Sequence, residues 1–143
     1  MTATAAAHPQ KNLPEVFQAF ISAQTAISGA GLDPKLRHLL TLRASQINGC
    51  VFCIKMHVHE ALEDGDTHDR LHRLTAWRHM SDFSPAEKAA LAWVEALTLI
   101  DTTADLAPLR MTLREHFSDR EIAAITSQIA MINLWNRLQI AGH

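Results

Sequence analysis

Apolar residues recur along this chain at spacings of three and four, and no stretch alternates with period two for long enough to build a sheet. The pattern predicts helices almost throughout. Pro14 to Ser28 carries Val16, Phe17, Phe20, Ile21 and Ile27 and stops at Gly29. Pro34, with Asp33 as its cap, opens a second helix through Leu36, Leu39, Leu40, Leu42 and Ile47 that ends at Asn48-Gly49. A third runs from Cys50 to about Leu62 and stops before Asp64-Gly65-Asp66, and a fourth from Thr67 to Met80 sets Leu71, Leu74 and Trp77 on one side. Ser84-Pro85-Ala86-Glu87 combines a cap, a proline in the first turn and a capping-box glutamate, and leads into Ala89 to Ile100. Asp105 to Phe117 is a shorter helix, and Ser118 to Glu121 repeats the capping-box spacing before a long last helix to about Ile140. The expectation is an all-α bundle of six or seven helices, with residues 13–143 as a single domain behind a flexible segment at 1–12.

Composition narrows the function classes. The chain has 143 residues, enough for one buried core, and a net charge of −2, which offers no basic surface to nucleic acid or anionic lipid. Hydrophobic residues make up 48% of it, but charges interrupt every apolar run short of a membrane span. Met1 to Lys11 has no positive start followed by an apolar stretch, so it does not read as a signal peptide and a cytoplasmic location is expected.

The chemistry is concentrated at Cys50-Val51-Phe52-Cys53-Ile54-Lys55-Met56-His57. On a helix, Cys50, Cys53 and His57 fall at i, i+3 and i+7 and share one face. Asn48 is the expected cap of this helix, which places Cys50 in the first turn. There the helix dipole favours thiolate and can lower a cysteine pKa from ~8.5 toward ~3.5–7.5. His57 can carry a proton to and from Cys53. The alternatives are two ordinary buried cysteines, a structural disulfide, and a metal site. The chain has no other cysteine, which disfavours the first, and a loop this short gains little from a structural disulfide. For zinc, His59 points about 200° around the helix from His57, so another ligand such as His38 is needed.

The run Leu36 to Cys50, Leu-Arg-His-Leu-Leu-Thr-Leu-Arg-Ala-Ser-Gln-Ile-Asn-Gly-Cys, continues through Phe52-Cys53 and Met56-His57. It resembles the core of alkylhydroperoxidase D (AhpD)-like proteins of the carboxymuconolactone decarboxylase superfamily. The likeness extends through Leu74 to Arg78, Ala90 to Thr98 and Ile132 to Leu138, nearly the whole chain. It implies an AhpD-like helical subunit in a homo-oligomer, a trimer or hexamer, that reduces organic hydroperoxides. By the same resemblance Cys53 attacks the peroxide and Cys50 resolves it, giving a Cys50–Cys53 disulfide. An external dithiol reductant, a lipoyl or thioredoxin-like protein, reopens it, with no cofactor and no resident metal. The helix dipole alone would favour Cys50 as the more acidic thiol, so the resemblance and the local physics divide the roles differently.

One position departs from the family. Its proton relay begins with a glutamate twelve residues before the first cysteine, and His38 stands there in this chain. Two imidazoles in contact lower each other's pKa when charged, so the expectation is a peroxidase activity that is weakened, moved to another pH range, or served by a different acid such as Glu95, which reads equally well as an ordinary solvated or capping glutamate. The same histidine completes a Cys₂His₂ set of His38, Cys50, Cys53 and His57, and with it the alternative of a zinc-binding or redox-sensing structural protein. A lactone decarboxylase, suggested by the superfamily name, has no need of the cysteine pair. His68, His72 and His79 sit among arginines on a polar face, and Trp77, Trp93 and Trp135 read as core or interface anchors.

Overall fold

The computed structural model describes residues 2–143, and among them every regular element is helical. In chain order these are α1 (Pro9–Asn12), α2 (Pro14–Ser28), α3 (Pro34–Asn48), α4 (Val51–Glu63), α5 (His68–His72), a 3-10 helix (Leu74–His79), α6 (Pro85–Leu99), α7 (Ala107–Arg114) and α8 (Asp119–Ile140). The starts are set locally. Asp33 accepts from the Leu36 amide at 3.1 Å, and both Ser84/Glu87 and Ser118/Glu121 close full capping boxes. None of the helices among the described residues is long and apolar enough to cross a membrane.

Helix α3 is the axis of the bundle and packs against α4, α6 and α8. One apolar cluster joins Leu36, Leu40 and Ala44 to Trp93, Val94, Ile125, Ile129 and Ile132, and a second joins Leu39 and Leu42 to Ala61, Leu71, Leu74, Trp77 and Leu91. From Leu36 to Asn48 no residue of α3 is exposed, so its polar side chains need partners inside the protein. Asn48 Nδ2 donates to Asn133 Oδ1 at 3.0 Å and Asn136 Oδ1 at 2.9 Å, and Asn136 Nδ2 donates to Ser45 Oγ at 3.0 Å. These bonds hold the end of α3 against α8.

Three expectations change. Asn48 does not cap the cysteine helix, because it ends α3 and its side chain is committed to α8. Gly49 turns the chain at φ 68°, the Cys50 amide returns to the Ser45 carbonyl at 3.1 Å, and Cys50 itself becomes the cap residue of α4. The fourth helix is divided into α5 and the 3-10 helix, with Ala76 outside helical geometry. Its apolar residues Leu71, Leu74 and Trp77 are spaced by three, the period that lines up one face of a 3-10 helix, and all three are buried. Within the segment expected to be flexible, Pro9–Asn12 forms a short helix whose Asn12 Nδ2 donates to the His8 carbonyl, raising the count above six or seven.

Replacing Asn136 by alanine removes a fully buried acceptor and donor and leaves Ser45 and Asn48 short of partners. A loss of about 1–3 kcal/mol in urea denaturation is expected, the cost of unsatisfied buried polar groups. A change within experimental error would mean the network does not hold α3 to α8.

Candidate active site

Helices α2, α3, α4 and α8 line an open cavity of about 510 Å³. Arg37, His38 and Thr41 enter from α3, Cys53, Met56, His57 and Glu60 from α4, and Gln128, Ile132 and Trp135 from α8. Phe17 and Phe20 meet Trp135 edge to face, and Trp135 Nε1 donates to Gln24 at 3.1 Å, so α2 is docked as the outer wall.

Cys50 and Cys53 are joined as a disulfide across the first turn of α4. Both are buried, at 0% and 1% exposure, yet they are not equivalent, because Cys53 lines the cavity and Cys50 does not. The turn at Gly49 produces this difference by tucking Cys50 behind the start of the helix.

His57 reaches the same cavity one turn further along α4. Its Nδ1 lies 3.0 Å from Glu60 Oε2, while its Nε2 is buried with no hydrogen-bond partner. An ionised carboxylate only accepts, so Nδ1 carries the proton and Nε2 of the neutral ring presents a lone pair. Burial lowers the His57 pKa below its ordinary value. Glu60 opposes the change, and the positive charges of His38 and Arg37 add to it.

His38 stands across Glu60 from His57. Its Nε2 donates to Asp64 Oδ2 at 2.5 Å, and its Nδ1 lies 3.7 Å from the same Glu60 oxygen. The structure therefore brings Cys53, His57 and His38 together, with Cys50 behind Cys53.

Glu95 is placed elsewhere. It accepts from Arg43 at 3.0 Å, Trp77 at 2.9 Å and Arg78 at 2.6 Å. Burial alone would raise its pKa, but bonds from Trp77, Arg78 and Arg43 outweigh this and lower it. It braces α6 against α3 and the 3-10 helix rather than serving His57. The Cys₂His₂ arrangement is not assembled either, since the two sulfurs are bonded to each other, whereas His38, His57 and Glu60 bring three donor atoms within 4.8 Å. His59 is exposed beside Glu63, away from His57 as its helical angle requires. Sequence reasoning missed Glu60 and Asp64. The His57-x-x-Glu60 spacing on one helix face was a usable signal for the first, whereas Asp64 had been read only as part of a helix stop.

A helical protein with a C-x-x-C disulfide and a buried histidine opening on one cavity defines a class of dithiol proteins, and the comparisons give its family. Residues 14–96 match the model of the carboxymuconolactone decarboxylase family, and the chain belongs to it. The uncharacterized protein YdfG of Bacillus subtilis is 35% identical over 128 residues, 90% of this chain and 87% of its own length. The crystal structure of ATU0492 from Agrobacterium tumefaciens, a protein of unknown function suggested to be the antioxidant defence protein AhpD, superposes with a TM-score of 0.89 at 39% identity. The match covers 96% of this chain and 94% of that one. The fold is thus AhpD-like. The debrominase Bmp8, solved with 2,3,4-tribromopyrrole, shares the fold at TM-score 0.81 and 21% identity over 92% of this chain and 70% of its own.

The lowered His57 pKa makes stability depend on pH. Folding favours the neutral ring, so this contribution is complete above the unfolded value of 6.5 and is lost as the pH falls through the lower folded value. Chemical denaturation from pH 8 down to about 5 should show wild type losing stability below about 6.5 relative to His57→Gln. A constant difference between the two across that range would contradict the assignment.

Proposed function

We propose that this protein is a thiol-dependent hydroperoxide reductase with Cys53 as the attacking and Cys50 as the resolving cysteine. The observation that carries the reading is the unpartnered, buried Nε2 of His57 in the cavity that Cys53 lines. In the dithiol form His57 takes the Cys53 proton at Nε2, and the thiolate attacks an oxygen of the hydroperoxide. The O–O bond breaks, Cys53 becomes a sulfenic acid, and the alkoxide leaves with the proton returned from His57. Cys50 then attacks the sulfenic sulfur, water departs, and the Cys50–Cys53 disulfide forms before further oxidation can occur. An external dithiol, carried by a lipoyl or thioredoxin-like protein, supplies the two electrons that reopen it.

Glu60 supports this cycle by fixing the His57 tautomer, a task the residue at position 38 does not perform here. The family's relay glutamate is thereby replaced from one turn along α4. The cavity volume lies within the range of small-molecule sites and suits an organic hydroperoxide. ATU0492, the 39%-identical neighbour, carries the same suggestion of antioxidant defence.

The same reading makes the subunit part of a homo-oligomer, a trimer or hexamer, working in the cytoplasm. Helix α2 contains no buried residue, and Leu13, Val16 and Ile21 are exposed, as are Val51, Phe52 and Met56 at the cysteine end of α4. Side chains of this kind are apolar area that self-association would cover.

Cys53→Ser is expected to abolish turnover of an organic hydroperoxide in a coupled dithiol assay. Cys50→Ser should consume one equivalent of peroxide per chain and stop at the sulfenic acid. Wild-type turnover by both variants would rule out the dithiol cycle.

A further inference from the structure

On the cavity wall His38, Glu60 and His57 turn one potential ligand atom each towards one another. Asp64 Oδ2 lies 2.5 Å from His38 Nε2, so in the neutral ring the proton sits on Nε2 and Nδ1 is the atom free to ligate. His38 Nδ1 lies 3.7 Å from Glu60 Oε2, and the same oxygen is 3.0 Å from His57 Nδ1.

We propose that His38, Glu60 and His57 form a binding site for a divalent first-row cation of the zinc type. Three features support it independently of the cysteines. The donor atoms converge, all three within 4.8 Å of one another. With bonds of about 2.0–2.1 Å, tetrahedral zinc sets its ligand atoms roughly 3.4 Å apart, and the two Glu60 distances of 3.0 and 3.7 Å bracket that spacing. His38 is already oriented as metal-bound histidines are, with its remote N–H held by a carboxylate, so Asp64 is the positioning residue. The side chains form a His₂Glu set beside an open cavity, which leaves a coordination position for water or ligand.

Occupation of the site has a defined proton balance. The cation replaces the Nδ1 proton of His57, and the ring keeps one proton by carrying it on Nε2. The lone pair that would accept the Cys53 proton is then gone. Resting on the peroxidase reading, this makes metal binding and peroxide reduction mutually exclusive states of one histidine.

The test uses the full chain in its disulfide form, stripped of metal with a chelator, so that no thiolate can bind. Titration with zinc chloride at pH 7.5, followed by calorimetry, should give one zinc per chain. Glu60→Gln should weaken it at least tenfold, and its side chain is 41% exposed, so the variant is expected to fold. Asp64→Asn should weaken it about 10–100-fold, as loss of a carboxylate behind a histidine ligand does. Failure of the disulfide form to bind zinc would overturn the site and leave the peroxidase reading untouched. Binding that survives Glu60→Gln but disappears in His72→Ala would also overturn it, placing the metal on the exposed His68–His72 pair instead.

Discussion

Helix α3 has no side open to solvent from Leu36 to Asn48, and the rest of the protein is arranged around that constraint. Several of the polar side chains it carries are answered from neighbouring segments. Arg43 meets Glu95 on α6, Ser45 and Asn48 meet Asn136 on α8, and His38 meets Asp64 at the end of α4. A satisfied hydrogen bond contributes only about 0.5–1.5 kcal/mol net, whereas an orphaned buried group costs about 1–3 kcal/mol. The network therefore acts mainly to exclude other packings of α4, α6 and α8 against α3, and so to set where the cysteine helix begins.

That placement gives the two cysteines different surroundings. Gly49 adopts a left-handed turn that has no room problem but demands positive φ, and it delivers Cys50 as the cap of α4, away from the cavity. Cys53, one turn on, reaches the cavity wall. The pair consists of one sulfur that lines the cavity and one that is sequestered within bonding distance of it. Burial of the same region depresses the His57 pKa, while Glu60 holds the ring from the opposite side.

The parts of this architecture that were legible in the sequence are those encoded within a few residues. Asp33-Pro34, Ser84-Pro85-Ala86-Glu87 and Ser118 to Glu121 start their helices where local capping chemistry puts them. The placing of Cys53 and His57 on one face followed from helical spacing, whereas Cys50 falls outside the helix as its cap. What was misread depends on partners distant in the chain. Asn48 looked like the cap of the next helix because its true partners, Asn133 and Asn136, lie on α8. Glu95 looked like a free acid because nothing local shows that Arg43, Trp77 and Arg78 converge on it. Glu60 was within reach of sequence reasoning, three residues from His57 on the same face, but a glutamate near a helix end has so many solvated counterparts that spacing alone did not single it out.

The account stands on Cys50 and Cys53 acting as a dithiol that a hydroperoxide converts to the disulfide seen in the structure. The most direct measurement is intact-protein mass spectrometry with thiol titration on the reduced protein, before and after one equivalent of cumene hydroperoxide. The account predicts that both thiols are consumed and that the chain loses the mass of two hydrogens. Thiols that remain fully titratable, with the mass unchanged, would contradict it.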